Sequence, residues 1–190
     1  PENGYTVKYG TAEGTYDSDS LTYTNAGVYT VYYQVTADQY KTVTGSATVE
    51  ITARVPADLT IQLSSNTYYY YAKARKPSVT VKDGDTVVPE SEYRVTYKNN
   101  IHAGTATVKI ISFSNGNYSF REERNFTIKP KNVHMKWTKL TFTYDGKYHL
   151  PLAKAIGVYP ADENKYTVQM TGSGRNVGRY IARAIGLDND

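Results

Sequence analysis

The sequence predicts an all-β protein made of tandem small antiparallel β-sandwiches of Ig-like type, and three observations carry that prediction. The first is composition: twenty of the 190 residues are Tyr, with abundant Thr and Val, side chains that fit a pleated, half-buried surface. The second is alternation. Tyr5-Thr6-Val7-Lys8-Tyr9, Tyr93-Arg94-Val95-Thr96-Tyr97 and Tyr166-Thr167-Val168-Gln169-Met170 each switch sides with period two, and no stretch has helical periodicity. The third is an internal repeat: Asn25-Ala26-Gly27-Val28-Tyr29 returns as His102-Ala103-Gly104-Thr105-Ala106 and as Asn176-Val177-Gly178-Arg179-Tyr180, with the glycines 77 and 74 residues apart. That period suits one small domain per repeat, whereas a solenoid unit has about 20–50 residues. A β-grasp arrangement is the alternative. It needs a packed helix, and Pro89-Glu90-Ser91-Glu92 is long enough for one turn only.

Taken in order, each element has a local reason. After the first alternating strand, Gly10 to Thr24 reads as a loop or short extra hairpin, since Gly14, Asp17 and Asp19 favour turns. The equivalent links later are tight: Lys98-Asn99-Asn100 and Thr171-Gly172-Ser173-Gly174 offer residues that accept positive φ. The longest strand should follow each motif glycine, with Tyr29, Val31, Tyr33 and Val35, then Ala106, Val108 and Ile110, then Tyr180, Ala182 and Ala184 facing the core. Turns ending in Tyr come next, at Asp38-Gln39-Tyr40 and Gly116-Asn117-Tyr118. Closing strands are expected at Ala47–Ile51 and Asn125–Ile128, with none for the last repeat. Opening strands pair off at a spacing of 74: Leu59–Leu63 with Val133–Trp137, and Thr67–Tyr71 with Thr141–Asp145.

Three domains are therefore expected: 1–53, the C-terminal part of a first β repeat; 54–130, a complete repeat; and 131–190, a third lacking its closing strand. Arg54-Val55-Pro56 and Lys129-Pro130-Lys131 mark the junctions, where proline suits a short, stiff link. The turn-like opening Pro1-Glu2-Asn3-Gly4 suggests a segment of a longer chain.

Composition narrows the functional classes. With no cysteine, disulfides, thiolate metal sites and cysteine nucleophiles are excluded together. The net charge of +4 divides into −4, +4 and +4 over the three domains, an ordinary surplus for solubility that argues against a nucleic-acid partner. Direct membrane insertion is not expected, because no apolar run is long enough for a spanning helix.

The repeat resembles a known family. Phe142-Thr143-Tyr144-Asp145-Gly146-Lys147 with Pro151, Glu92-Tyr93-Arg94-Val95-Thr96-Tyr97-Lys98-Asn99-Asn100 with Ala103-Gly104-Thr105-Ala106, and Gly116-Asn117-Tyr118 are similar to the Ig-like, tyrosine-aspartate-glycine-marked repeat modules of large bacterial surface proteins and adhesins. The resemblance implies an extracellular location at the cell surface or wall and no shared catalytic residues. It also implies neighbouring repeats, and host or cell-wall glycans or proteins, as partners. Tyr71-Ala72 departs from the pattern where the third repeat has Asp145-Gly146.

No catalytic, cofactor or metal residues are assigned. His102, His134 and His149 sit at unrelated repeat positions, and zinc needs three or four converging ligands. Asp17-Ser18-Asp19, Asp83-Gly84-Asp85 and Asp188-Asn189-Asp190 lack the long spaced ligand series of a calcium loop and read as turns. Neither a Gly-x-Ser-x-Gly elbow nor a phosphate-binding loop is present. Trp137 aligns with Leu63 and is expected in the core.

The remaining candidates are tyrosines. Tyr68-Tyr69-Tyr70-Tyr71 must present rings on both faces, because successive strand residues point opposite ways. Tyr69, Tyr71 and Tyr32 are the candidate ligand-facing aromatics, with packing and cross-strand pairing as the competing role. The expected function is a non-catalytic structural and adhesive segment, a stalk or spacer. The alternative is a carbohydrate- or protein-binding accessory module of a surface enzyme.

Overall fold

The computed structural model describes residues 4–189. The fold is all-β and sandwich-type, with several small, mostly antiparallel sheets and, among the described residues, no α-helix. The strands in chain order are β1 (Tyr5–Gly10), β2 (Gly27–Ala37), β3 (Val43–Ile51), β4 (Leu59–Leu63), β5 (Thr67–Tyr69), β6 (Val79–Asp83), β7 (Thr86–Val87), β8 (Tyr93–Lys98), β9 (Gly104–Ser112), β10 (Arg121–Lys129), β11 (His134–Thr138), β12 (Leu152–Ile156), β13 (Tyr166–Thr171) and β14 (Arg183–Asn189). Single 3-10 turns at Glu90–Glu92 and Pro160–Asp162 precede β8 and β13, each with a proline at its start.

The chain forms two compact units. The first comprises 1–64, 78–96 and 108–124; the second comprises 65–77, 97–107 and 125–190. Residues of the segment 54–130 occur in both.

In the first unit, β1, β2 and β3 form an antiparallel meander, with Tyr5 opposite Ala37 and Gly27 opposite Ile51. Tyr29, Val31, Tyr33 and Val35 are half-buried, while Val28, Thr30 and Thr36 are exposed. The stretch after β1 folds into a small hairpin, bridged at Tyr9–Ser18 and Ala12–Thr15. It presses the Thr15 carbonyl onto Gly10 so closely that an added Cβ would lie 1.6 Å from that oxygen. This unit also holds the sheet β4-β6-β7, antiparallel throughout. Val81 and Val88 are fully buried here.

The sheet β5-β10-β9-β8 contributes further core positions: Ala106, Val108 and Ile110 on β9, and Phe126 and Ile128 on β10. Its strands carry the apolar-in, polar-out alternation of a one-sided sheet. Gly104 opens β9 at φ +136°, where a side chain would be strained. One pairing departs from the antiparallel expectation: β5 runs parallel to β10, with Thr67 opposite Thr127 and Tyr68 opposite Ile128.

In the second unit, residues 131–189 form two hairpin sheets, β11-β12 and β13-β14. Trp137 is half-buried. Two expectations need correction here. Thr141–Asp145, the counterpart of the β5 region, is not a strand, and neither are residues 179–182 beyond Gly178; β14 starts only at Arg183. The reason lies in strand pairing. Extended backbone becomes a strand where a neighbour pairs with its N–H and C=O groups, and neither stretch is part of any paired strand among the described residues.

The motif glycines accordingly differ. Gly27 and Gly104 open long strands, whereas Gly178 lies in a bend. Gly27 and Gly178 share another device: Tyr29 and Tyr180 fold back over them, donating their hydroxyls to the Asn25 and Asn176 carbonyls at 2.9 and 3.0 Å. The middle motif has Ala106 in that place and no such lid.

Candidate functional site

The tyrosine run Tyr68–Tyr71 lies along and just beyond β5, and one cation organises it. Arg75 donates from Nε and Nη2 to the Tyr69 carbonyl at 3.1 and 2.7 Å. Its guanidinium lies 4.8 Å from the Tyr71 ring centroid and 5.6 Å from that of Tyr68, within range of cation–π attraction. Alternation then sorts the rings. Tyr68 is half-buried and meets Phe126 edge-on at 5.7 Å. Tyr69 is 60% exposed, and Tyr71 is 48% exposed.

A second group of residues, later in the chain, completes the cluster. Tyr159 meets Tyr71 at 5.3 Å and Tyr70 at 6.1 Å, both edge-to-face. Lys131 Nζ lies 3.7 Å from the Tyr159 centroid. Tyr70 donates its hydroxyl to Asp162 Oδ2 at 2.8 Å. Loss of water around the Tyr70 phenol, followed by that carboxylate, raises its pKa above the ordinary tyrosine value.

Of the three candidate aromatics, Tyr69 and Tyr71 therefore belong to one cationic-aromatic surface. Arg75 covers part of Tyr71, and Tyr69 is the more exposed ring. Tyr32 is half-buried on β2 in the other unit, across from Gly10 and Ser46. Arg75, Lys131, Tyr159 and Asp162 escaped the sequence reading. Lys131 and Tyr159 stand in ordinary junction and turn contexts, and only folding brings them to Tyr70 and Tyr71. The Arg75 signal was visible as the cluster Lys73-Ala74-Arg75-Lys76.

Two of the acidic candidates and one of the histidines are engaged in pairs of their own. Asp19 pairs with Lys8 at 2.6 Å, and buried Asp83 accepts Arg54 Nε at 2.6 Å. His149 Nε2 lies 2.7 Å from Asp145 Oδ1, and its ring stacks on Phe142 at 4.6 Å. The Lys147 backbone N–H, at 2.9 Å, and then His149 hold the Asp145 carboxyl below its ordinary pKa. Among the described residues, no three His, Asp or Glu side chains gather as a metal site.

Asn117 is the other concentrated polar feature. Its Oδ1 accepts the Ala26 N–H at 2.8 Å, and its Nδ2 donates to Glu92 Oε1 and Asn25 Oδ1 at 3.0 and 3.3 Å. Its own N–H donates to Glu92 Oε2 at 2.7 Å, and its carbonyl accepts the Arg54 N–H at 2.8 Å. One turn residue thus ties the first motif, the 3-10 turn and the first junction together. This chemistry is cohesive. Comparison with protein-family models, curated proteins and solved structures gives no match.

Proposed function

We propose that the chain is a non-catalytic structural and adhesive repeat segment of a bacterial cell-surface protein, serving as an extracellular stalk or spacer built of Ig-like modules. The observation that carries this reading is the Asn117 clip: its five hydrogen bonds join residues of two successive repeats, with partners as distant in sequence as Asn25. A segment whose task is to transmit tension needs such ties between neighbours. Single-molecule pulling on the full chain tests it. Asn117→Ala should lower the force of the first rupture, and an unchanged force would remove the support. A single-turnover activity traceable to one polar side chain would overturn the non-catalytic part.

A second reading, a carbohydrate- or protein-binding accessory module, is favoured by the Tyr69, Tyr71 and Arg75 surface. Exposed rings beside a cation suit sugar faces and peptide carboxylates. Tyr69→Ala should abolish binding on a glycan array without altering the melting curve. A blank array for the unaltered protein would eliminate the glycan form of this reading.

A further inference from the structure

Two open spaces lie in the second unit, and the internal repeat says what shape each has. The larger, a cleft of about 740 Å³, runs between a wall containing Trp137, Phe142 and Tyr144 and a wall containing Val177, Tyr180 and Ile181. Thr141–Thr143 on the first wall corresponds, 74 residues on, to β5; the second wall spans Gly178, the counterpart of the Gly104 that opens β9. Between β5 and β9 lies β10, whose Phe126 and Ile128 are 2% and 1% exposed. The equivalent place in the cleft holds no strand, and Val177, Tyr180 and Ile181 are 87%, 52% and 70% exposed.

The smaller space, about 430 Å³, has His102, Ala103, Lys165 and Tyr166 among its walls. His102, Ala103 and Lys165 are the repeat counterparts of Asn25, Ala26 and Glu92, three residues that hold Asn117 in the first unit. Both spaces therefore match one stretch, Gly116–Lys129, which supplies both the clip turn and the closing strand.

We propose that these two spaces form a single acceptor site for an extended polypeptide segment. Its occupant carries a turn with an Asn or Asp, then, about nine residues on, two large apolar residues separated by one. The turn seats beside His102, Ala103 and Lys165, and the apolar pair enters the cleft as an added strand, its backbone pairing with the unpaired stretches on either wall. Lys165 replaces Glu92, so the wall presents a donor where the first unit presents an acceptor, and a side-chain oxygen on the occupant's turn meets it. The proposal stands apart from the stalk reading, since it concerns only what this cleft accepts.

Trp137 is the single tryptophan and lines the cleft, so its fluorescence reports occupancy. A peptide with the sequence of Gly116–Lys129 is titrated into the full chain, beside the same peptide carrying Phe126→Asp and Ile128→Asp. The expected result is a saturable blue shift with the first peptide. The second should bind weaker by on the order of tenfold or more, from the lost burial of two apolar side chains. In a second arm the same fourteen residues are fused after Asp190 through a Gly/Ser linker. Expected there is the blue shift without added peptide, together with slowed hydrogen exchange at 141–143 and 178–182. Unchanged Trp137 emission and exchange in both arms would overturn the proposal, as would equal binding of the two peptides. A blue shift that follows dimerisation of the unaltered chain would reassign the cleft to a second copy.

Discussion

The β9–β10 region and the stretch around Gly178 are written in nearly the same pattern yet bury their side chains very differently. Ala106, Val108 and Ile110 are fully buried, whereas Tyr180 is 52% exposed and Ala182 and Ala184 are half-buried. Phe126, inside the first, has its counterpart space in the second open to solvent. The difference teaches that alternation selects a face but does not bury it. Burial needs a neighbouring strand to close the layer, and the stability of each region follows from how far that closure has gone.

The comparison breaks most visibly at its aromatic pair. Phe126→Ala should destabilise by about 3–5 kcal/mol, the cost of emptying a close-packed site. Phe142→Ala, at a half-buried ring that rests on His149, should cost well under half of that. Urea denaturation followed by far-UV circular dichroism, with Trp137 fluorescence reporting the later region, measures both. Equal losses would erase the contrast.

Next in size is the Arg54–Asp83 pair. Asp83 is 7% exposed, and its Oδ2 pairs with Arg54 Nε at 2.6 Å. Arg54→Ala leaves a buried carboxylate short of a partner, and a loss of about 1–3 kcal/mol in the same denaturation experiment is expected.

Asn117→Ala comes third, at about 1–2 kcal/mol. The Ala26 amide, which donates to its side chain, should exchange faster while amides of β10 keep their protection. A uniform acceleration would mean that Asn117 supports the whole core and not the tie alone.

The smallest effect is a pH dependence confined to residues 131–189. Asp145 has its carboxyl held low by the Lys147 N–H and by His149, so its ionised form is favoured by folding. The stability it contributes is present above the ordinary carboxylate pKa and is lost as pH falls through the lowered folded value. Asp145→Asn should flatten the acid limb of the Trp137 melting profile, and an unaltered limb would assign it to other groups.

Much of the architecture was legible from the chain alone. Tyr5–Gly10, Tyr93–Lys98 and Tyr166–Thr171 are strands where alternation placed them. Asn99, at φ +56°, and Gly172, at φ +94°, adopt the backbone their hairpin links require. The candidate surface was half legible. The run Tyr68–Tyr71 had to expose some rings, but which ring Arg75 covers and that Tyr159 and Lys131 join it depended on contacts across some ninety residues of sequence.

What the sequence by itself determined is local: where backbone is extended, which residues share a face, and where glycine or asparagine lets the chain reverse. Those follow from sterics and side-chain chemistry within a few residues. What only the tertiary structure decided is whether an extended stretch becomes a paired strand and whether an apolar face becomes core. Thr67–Tyr69 is a strand because β10 runs beside it, and Thr141–Thr143, alike in sequence, is not, because its backbone groups have no such neighbour among the described residues.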